Sequence, residues 1–185
     1  MWRSSIAIRW LAPAGMAAAL GCGSGDNTGP GGGGTAAEGR FTAELTGGFS
    51  QTLSGRAFYV QADDGLTIVM SSDQGGASGL GIVLARGNSA LPAVGAYQVV
   101  SAGDSIPTEN FMASSFWGSS GSLIQCFSGD LNDPAAPGGP LNITTSASNV
   151  AGDFTTKVAC LDRNTGDLKA ATITGQFNAE AGPPQ

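Results

Sequence analysis

The chain has 185 residues, 12% of them charged and 7% aromatic, with 30 Gly, 3 Cys, no His and a net charge of −6. That length allows one domain of ordinary size or at most two small ones. Without histidine there is no Ser-His or Cys-His nucleophile, no imidazole base and no His-ligated metal, and 8 Lys and Arg against 14 Asp and Glu leave no basic patch for nucleic acid.

Residues 1–21 read as three zones. Met1 to Arg9 carries Arg3 and Arg9 and no acid, Trp10 to Leu20 is uncharged and rich in Ala and Leu, and small residues then lead to Cys22. The eleven residues of the apolar run would span about 16 Å as a helix, roughly half a bilayer's hydrocarbon core. The order of zones therefore predicts a signal peptide and not a membrane-spanning helix.

The stretch Ala19-Leu20-Gly21-Cys22 resembles the lipobox of bacterial lipoproteins, with Leu one place later than in the usual pattern. The resemblance implies a diacylglycerol on the Cys22 sulfur, cleavage before Cys22 and acylation of the new amine. Gly23 in place of Asp after the Cys resembles cargo sent to the outer membrane. Several acyl chains, at about 0.8 kcal/mol per buried methylene, make an anchor that does not readily dissociate. Losing Arg3 and Arg9 with the leader takes the net charge from −6 to −8, so lipid and not electrostatics must hold the chain to an anionic membrane.

Residues 22–39 follow as a Gly-rich tether with no large apolar side chain. Its composition cannot offset the entropy of ordering, and the seventeen residues after Cys22 predict a coil with a reach of about 21–25 Å. It is no phosphate cradle, since no strand precedes it and no Lys-Ser/Thr helix start follows.

From Arg40 to about Glu180 the apolar period is two. Phe41, Ala43 and Leu45 alternate with polar residues, as do Leu66, Ile68 and Met70; Leu80, Ile82 and Leu84 keep the same spacing, and Phe154, Val158 and Cys160 share a face. This predicts half-buried strands near 40–47, 53–62, 65–72, 79–86, 95–101, 110–117, 122–129, 140–146, 149–161 and 169–178. Asp63-Asp64-Gly65, Gly75-Gly76 and Arg163 to Asp167 are the expected turns, and Pro134 to Pro140 is a break no central strand tolerates. The expectation is an all-β domain over 40–180, a single antiparallel β-sandwich or small barrel of about ten strands, with 181–185 a tail.

Once Cys22 is given to lipid, Cys126 and Cys160 remain as an even pair in an oxidising compartment. Both share a face with apolar neighbours, so the expectation is a disulfide, the other reading being two separate buried thiols. Closing a loop of that length would stabilise by roughly 3–4 kcal/mol.

Motifs for chemistry are weak throughout. Asp162, Asn164, Gly166 and Asp167 miss the EF-hand pattern, which needs Gly at loop position 6 and Glu at 12, and read as a hairpin turn. Asp63-Asp64 and Asp130-Leu131-Asn132-Asp133 read likewise as turns. Ser78 and Ser120 fail the G-x-S-x-G spacing, and no S-x-x-K gives Lys157 or Lys169 a catalytic part. Phe116-Trp117 before Gly118 to Gly121 is the surface candidate, because adjacent strand residues face opposite ways; Trp117 either stacks on a sugar or partner or packs under the loop.

These features favour a non-catalytic binding or scaffold module in the bacterial cell envelope, lipid-anchored and without a cofactor, its partner an envelope protein or a glycan. The alternatives are an envelope hydrolase working through Asp and Glu alone, whose sign would be two carboxylates about 5–10 Å apart in a cleft, and an adhesin or assembly subunit, whose sign would be an unpaired edge strand.

Overall fold

The computed structural model describes residues 35–73, 81–101, 104, 108–112, 115–117, 124–133 and 136–182. The signal peptide, Cys22, the tether as far as residue 34, the Gly75-Gly76 turn and the last three residues of the tail lie outside them. Among the described residues there is no helix, and there are eleven strands: β1 (Arg40–Gly47), β2 (Gln51–Ala62), β3 (Gly65–Ser72), β4 (Gly81–Arg86), β5 (Gly95–Val100), β6 (Phe111–Met112), β7 (Ser115–Trp117), β8 (Ile124–Ser128), β9 (Gly139–Ser146), β10 (Asn149–Asp162) and β11 (Leu168–Ala181).

Alternation explains why these segments are strands. In β3 the inward residues Leu66, Ile68 and Met70 are buried, and Thr67, Val69 and Ser71 between them are not. A period of two puts one apolar row on one side of a pleated chain, and the sheet hides that row. β1 and β9 repeat the rule.

The pairings run β1–β2–β3–β4–β6–β5–β9–β10–β11 and return to β1, so nine strands close into a ring. Closure leaves one side of the wall facing inward, and Phe41, Phe111, Phe154 and Phe177 with Leu53, Leu66, Ile68, Met70, Ile82 and Leu84 fill that side in one cluster. Each such side chain contributes about 1.5–3 kcal/mol relative to exposure.

β8 and β7 branch from the ring. β10 is 14 residues long, and its two halves take different partners on the same side: Val150 to Phe154 pairs with β9, and Val158 to Asp162 pairs with β8. This branching splits the strand expected near 110–117 in two. β6 joins β4 and β5, and β7 joins β8. The sheet is also mixed and not purely antiparallel, because β5–β6 and β2–β11 meet in parallel over two residue pairs each.

Three local expectations change. The β2–β3 hairpin turns on Asp63-Asp64 alone: Gly65 pairs with Ala62 as the first residue of β3 and is not among the positive-φ glycines. The domain starts before Arg40. Ala36 is buried, its carbonyl accepts the Asn178 side-chain N–H at 3.1 Å, and Gly39 donates to the Asn178 carbonyl at 2.8 Å. It also runs past 180, since β11 reaches Ala181 and the Gly182 N–H donates to the Tyr59 carbonyl at 2.8 Å.

The break before β9 rests on Gly139. Its φ is 145°, and a Cβ there would lie 2.1 Å from the Thr155 carbonyl oxygen, a distance no side chain tolerates.

Cys126 and Cys160 form a disulfide. They sit opposite each other in the β8–β10 ladder with Cα atoms 3.9 Å apart, and both are fully buried. The bond ties the branch to the ring.

Candidate functional site

The outward side of β11, β10 and β8 is ordered by register into cross-strand rows. Thr46 pairs with Thr172, and Thr172 with Lys157. Two residues further along, Ala170 pairs with Ala159, and Ala159 with Phe127. Two further still, Leu168 pairs with Leu161, Leu161 with Gln125, and Gln125 with Trp117. Rows lie about 7 Å apart and strands about 4.8 Å, so the residues of β1, β8, β10 and β11 named here share one continuous face.

A groove of about 310 Å³ opens on this face. Gly47, Ala170, Ala171 and Val158 line it with Leu131 and Gly129, and its polar lining is Thr46, Thr172, Asp130, Asn132 and Lys157. The wall from Gly129 to Asn132 is the start of the β8–β9 connection. It folds back because Gly129 donates to the Lys157 carbonyl at 2.9 Å and Asp133 donates to the Asp130 carbonyl at 3.2 Å.

The charged pair in the groove is well fixed. Lys157 Nζ lies 2.9 Å from Asp130 Oδ2, and the Asn132 backbone N–H donates to Asp130 Oδ1 at 2.9 Å. The Lys157 ammonium and then the Asn132 N–H hold the Asp130 carboxyl below its ordinary value of 3.8, and Asp130 holds Lys157 above 10.5. Both charged forms are therefore present at neutral pH, and their charges cancel. A carboxylate held ionised is the opposite of what a general acid needs.

Beyond the groove the same face turns apolar. Phe127 on β8 is 41% exposed and Leu168 on β11 54%, Ala170 beside Leu168 is exposed, and half-buried Ala159 and Leu161 of β10 lie between the two strands. Phe127 is diagonal to Lys157 across β8 and β10, at the distance where long side chains of neighbouring rows still meet.

The residues singled out from sequence fall as follows. Trp117 ends β7 opposite Gln125, in the row of Leu161 and Leu168, and its side chain lies outside the described residues. Cys22 lies outside them altogether. Arg163 to Asp167 is the β10–β11 turn: Gly166, at φ 79°, donates to the Asp162 carbonyl at 2.7 Å, and the Asp162 carboxylate accepts the Asn164 N–H at 2.9 Å. Asp130 to Asp133 is a turn, as its composition suggested, and it is also the groove wall.

Sequence reasoning passed over Phe127, Lys157 and Asp130 as binding groups. Phe127 carried a signal, since it follows inward-facing Cys126 and so must face out. Lys157 and Asp130 are 27 residues apart, and nothing local pairs them. Among the described residues no group of three Cys, Asp or Glu is placed to hold a metal ion. No protein-family model, curated protein or solved structure matches the chain.

Proposed function

We propose that this chain is a bacterial envelope lipoprotein, cut before Cys22, acylated there, held at the outer membrane and serving as a non-catalytic binding module. The leader argues for the address: arginines, an apolar run too short to span, small residues, Cys22 and a Gly-rich segment follow in that order.

One observation carries the binding reading. The inward side of the ring is filled by apolar side chains, and the paired Asp130 and Lys157 of the groove stand on its outside near the exposed Phe127. A ligand there meets one donor and one acceptor already paired in place, which lowers the ordering cost of association.

The test is Cys22→Ser. The variant is expected in the soluble fraction without acyl mass, and a variant that still pellets with membranes and carries acyl mass overturns the reading.

A further inference from the structure

We propose that the outward face of β8, β10 and β11 binds an uncharged glycan strand at the end of the domain opposite the tether. This rests on the anchored-module reading for its orientation, but not for its ligand.

Orientation follows from where the chain enters. Ala36 and Gly39 are fastened to Asn178, near the C-terminal end of β11, so the tether joins the domain at that pole. The groove row at Thr172 and the apolar row at Ala170 lie toward the other end of β11. Eight residues separate Asn178 from Ala170, about 27 Å along an extended strand. The attachment point and the face therefore lie toward opposite ends of β11, so the tether does not cover Lys157 and Phe127.

The ligand class follows from the chemistry of the face. A pyranose ring has apolar C–H faces and a rim of hydroxyls, so it needs an aromatic or aliphatic platform beside fixed donors and acceptors. Phe127 on β8 supplies the aromatic surface, and half-buried Ala159 and Leu161 on β10 continue it to exposed Ala170 and Leu168 on β11. Thr46, Thr172, Asn132 and the Asp130–Lys157 pair supply hydroxyls, an amide, an acceptor and a donor within one groove. The charge balance selects against anions: Lys157 is the groove's cation, Asp130 neutralises it, Asp133 lies close enough to act on it, and the whole chain is negative. Phosphorylated or uronic polymers meet repulsion, and a neutral sugar does not.

The experiment is co-sedimentation of the full chain, purified in detergent from producing cells, with chitin and microcrystalline cellulose as neutral polymers and alginate as the anionic one. Retention is expected on a neutral polymer and not on alginate. Phe127→Ala and Lys157→Met should each weaken it about tenfold, and Val94→Ser, an exposed apolar position before β5, should leave it unchanged. No retention on either neutral polymer, stronger retention on alginate, or an equal loss in Val94→Ser overturns the proposal. So does a concentration-dependent dimer that Phe127→Ala abolishes, since a second copy would then own the face. Acyl mass on Cys22 without polymer binding sinks the ligand alone; polymer binding without acyl mass sinks the anchor alone.

Discussion

Reducing the Cys126–Cys160 bond probes how the branch is attached. The two cysteines are 34 positions apart, and in the chain-entropy model opening a loop of that size gives the unfolded chain about 4 kcal/mol of extra freedom. A domain of this size loses about 2–4 °C of Tm per kcal/mol, so the expected fall is about 8–16 °C. Both cysteines are fully buried, so the bond should resist reductant until β8 opens from β10, and reduction should be carried out in mild denaturant before refolding. The assay is thermal unfolding followed by far-UV circular dichroism with and without reductant. The Cys126→Ala/Cys160→Ala chain serves as control, because reductant should not move its Tm. A fall below about 3 °C, or an equal fall in the double variant, would refute the entropic argument. Two thiols that alkylate freely in the unreduced protein would refute the bond itself.

Two further outcomes follow from single groups. Thr156 is fully buried with no partner for its hydroxyl among the described residues, so Thr156→Val, which keeps the shape and removes the unpaired oxygen, should raise Tm by a few degrees in the same thermal assay. The Asp130 carboxyl, held below 3.8 by Lys157 and Asn132, contributes stability that is present above 3.8 and lost as pH falls through its lower folded value. Lys157, held above 10.5, contributes stability present below 10.5 and lost as pH rises through its higher folded value. Carbon-detected NMR titration should place the Asp130 midpoint below 3.8 and move it up in Lys157→Met; an unmoved midpoint would show that Lys157 is not the cause.

Most strands were readable in the sequence because each buries one side. Phe41, Ala43 and Leu45, or Leu66, Ile68 and Met70, hide on alternate residues, and that period survives whatever the strand pairs with. Pairing was not readable. β10 gives its first half to β9 and its second to β8, a choice set by segments distant in sequence, so the single strand expected near 110–117 becomes β6 and β7.

The groove was hidden for the same reason. Asp130-Leu131-Asn132-Asp133 is turn chemistry and does form a turn, but only the fold brings that turn over Lys157. The exposed aromatic was sought at Trp117 because a Gly/Ser loop follows it. Phe127 sits one row and two strands from the groove's Thr172 and is the aromatic the described face exposes. Its position after Cys126 was the cue, since the disulfide fixes which way Cys126 points and alternation then fixes Phe127.

The most direct test of the anchored binding module is the intact mass of the chain extracted from membranes. The account predicts an N-terminus at Cys22, a mass increased by a diacylglycerol and an amine-linked acyl chain, and two hydrogens fewer than the sum for free thiols at Cys126 and Cys160. A chain that retains Met1 to Gly21, or begins at Cys22 with no acyl mass, would contradict it.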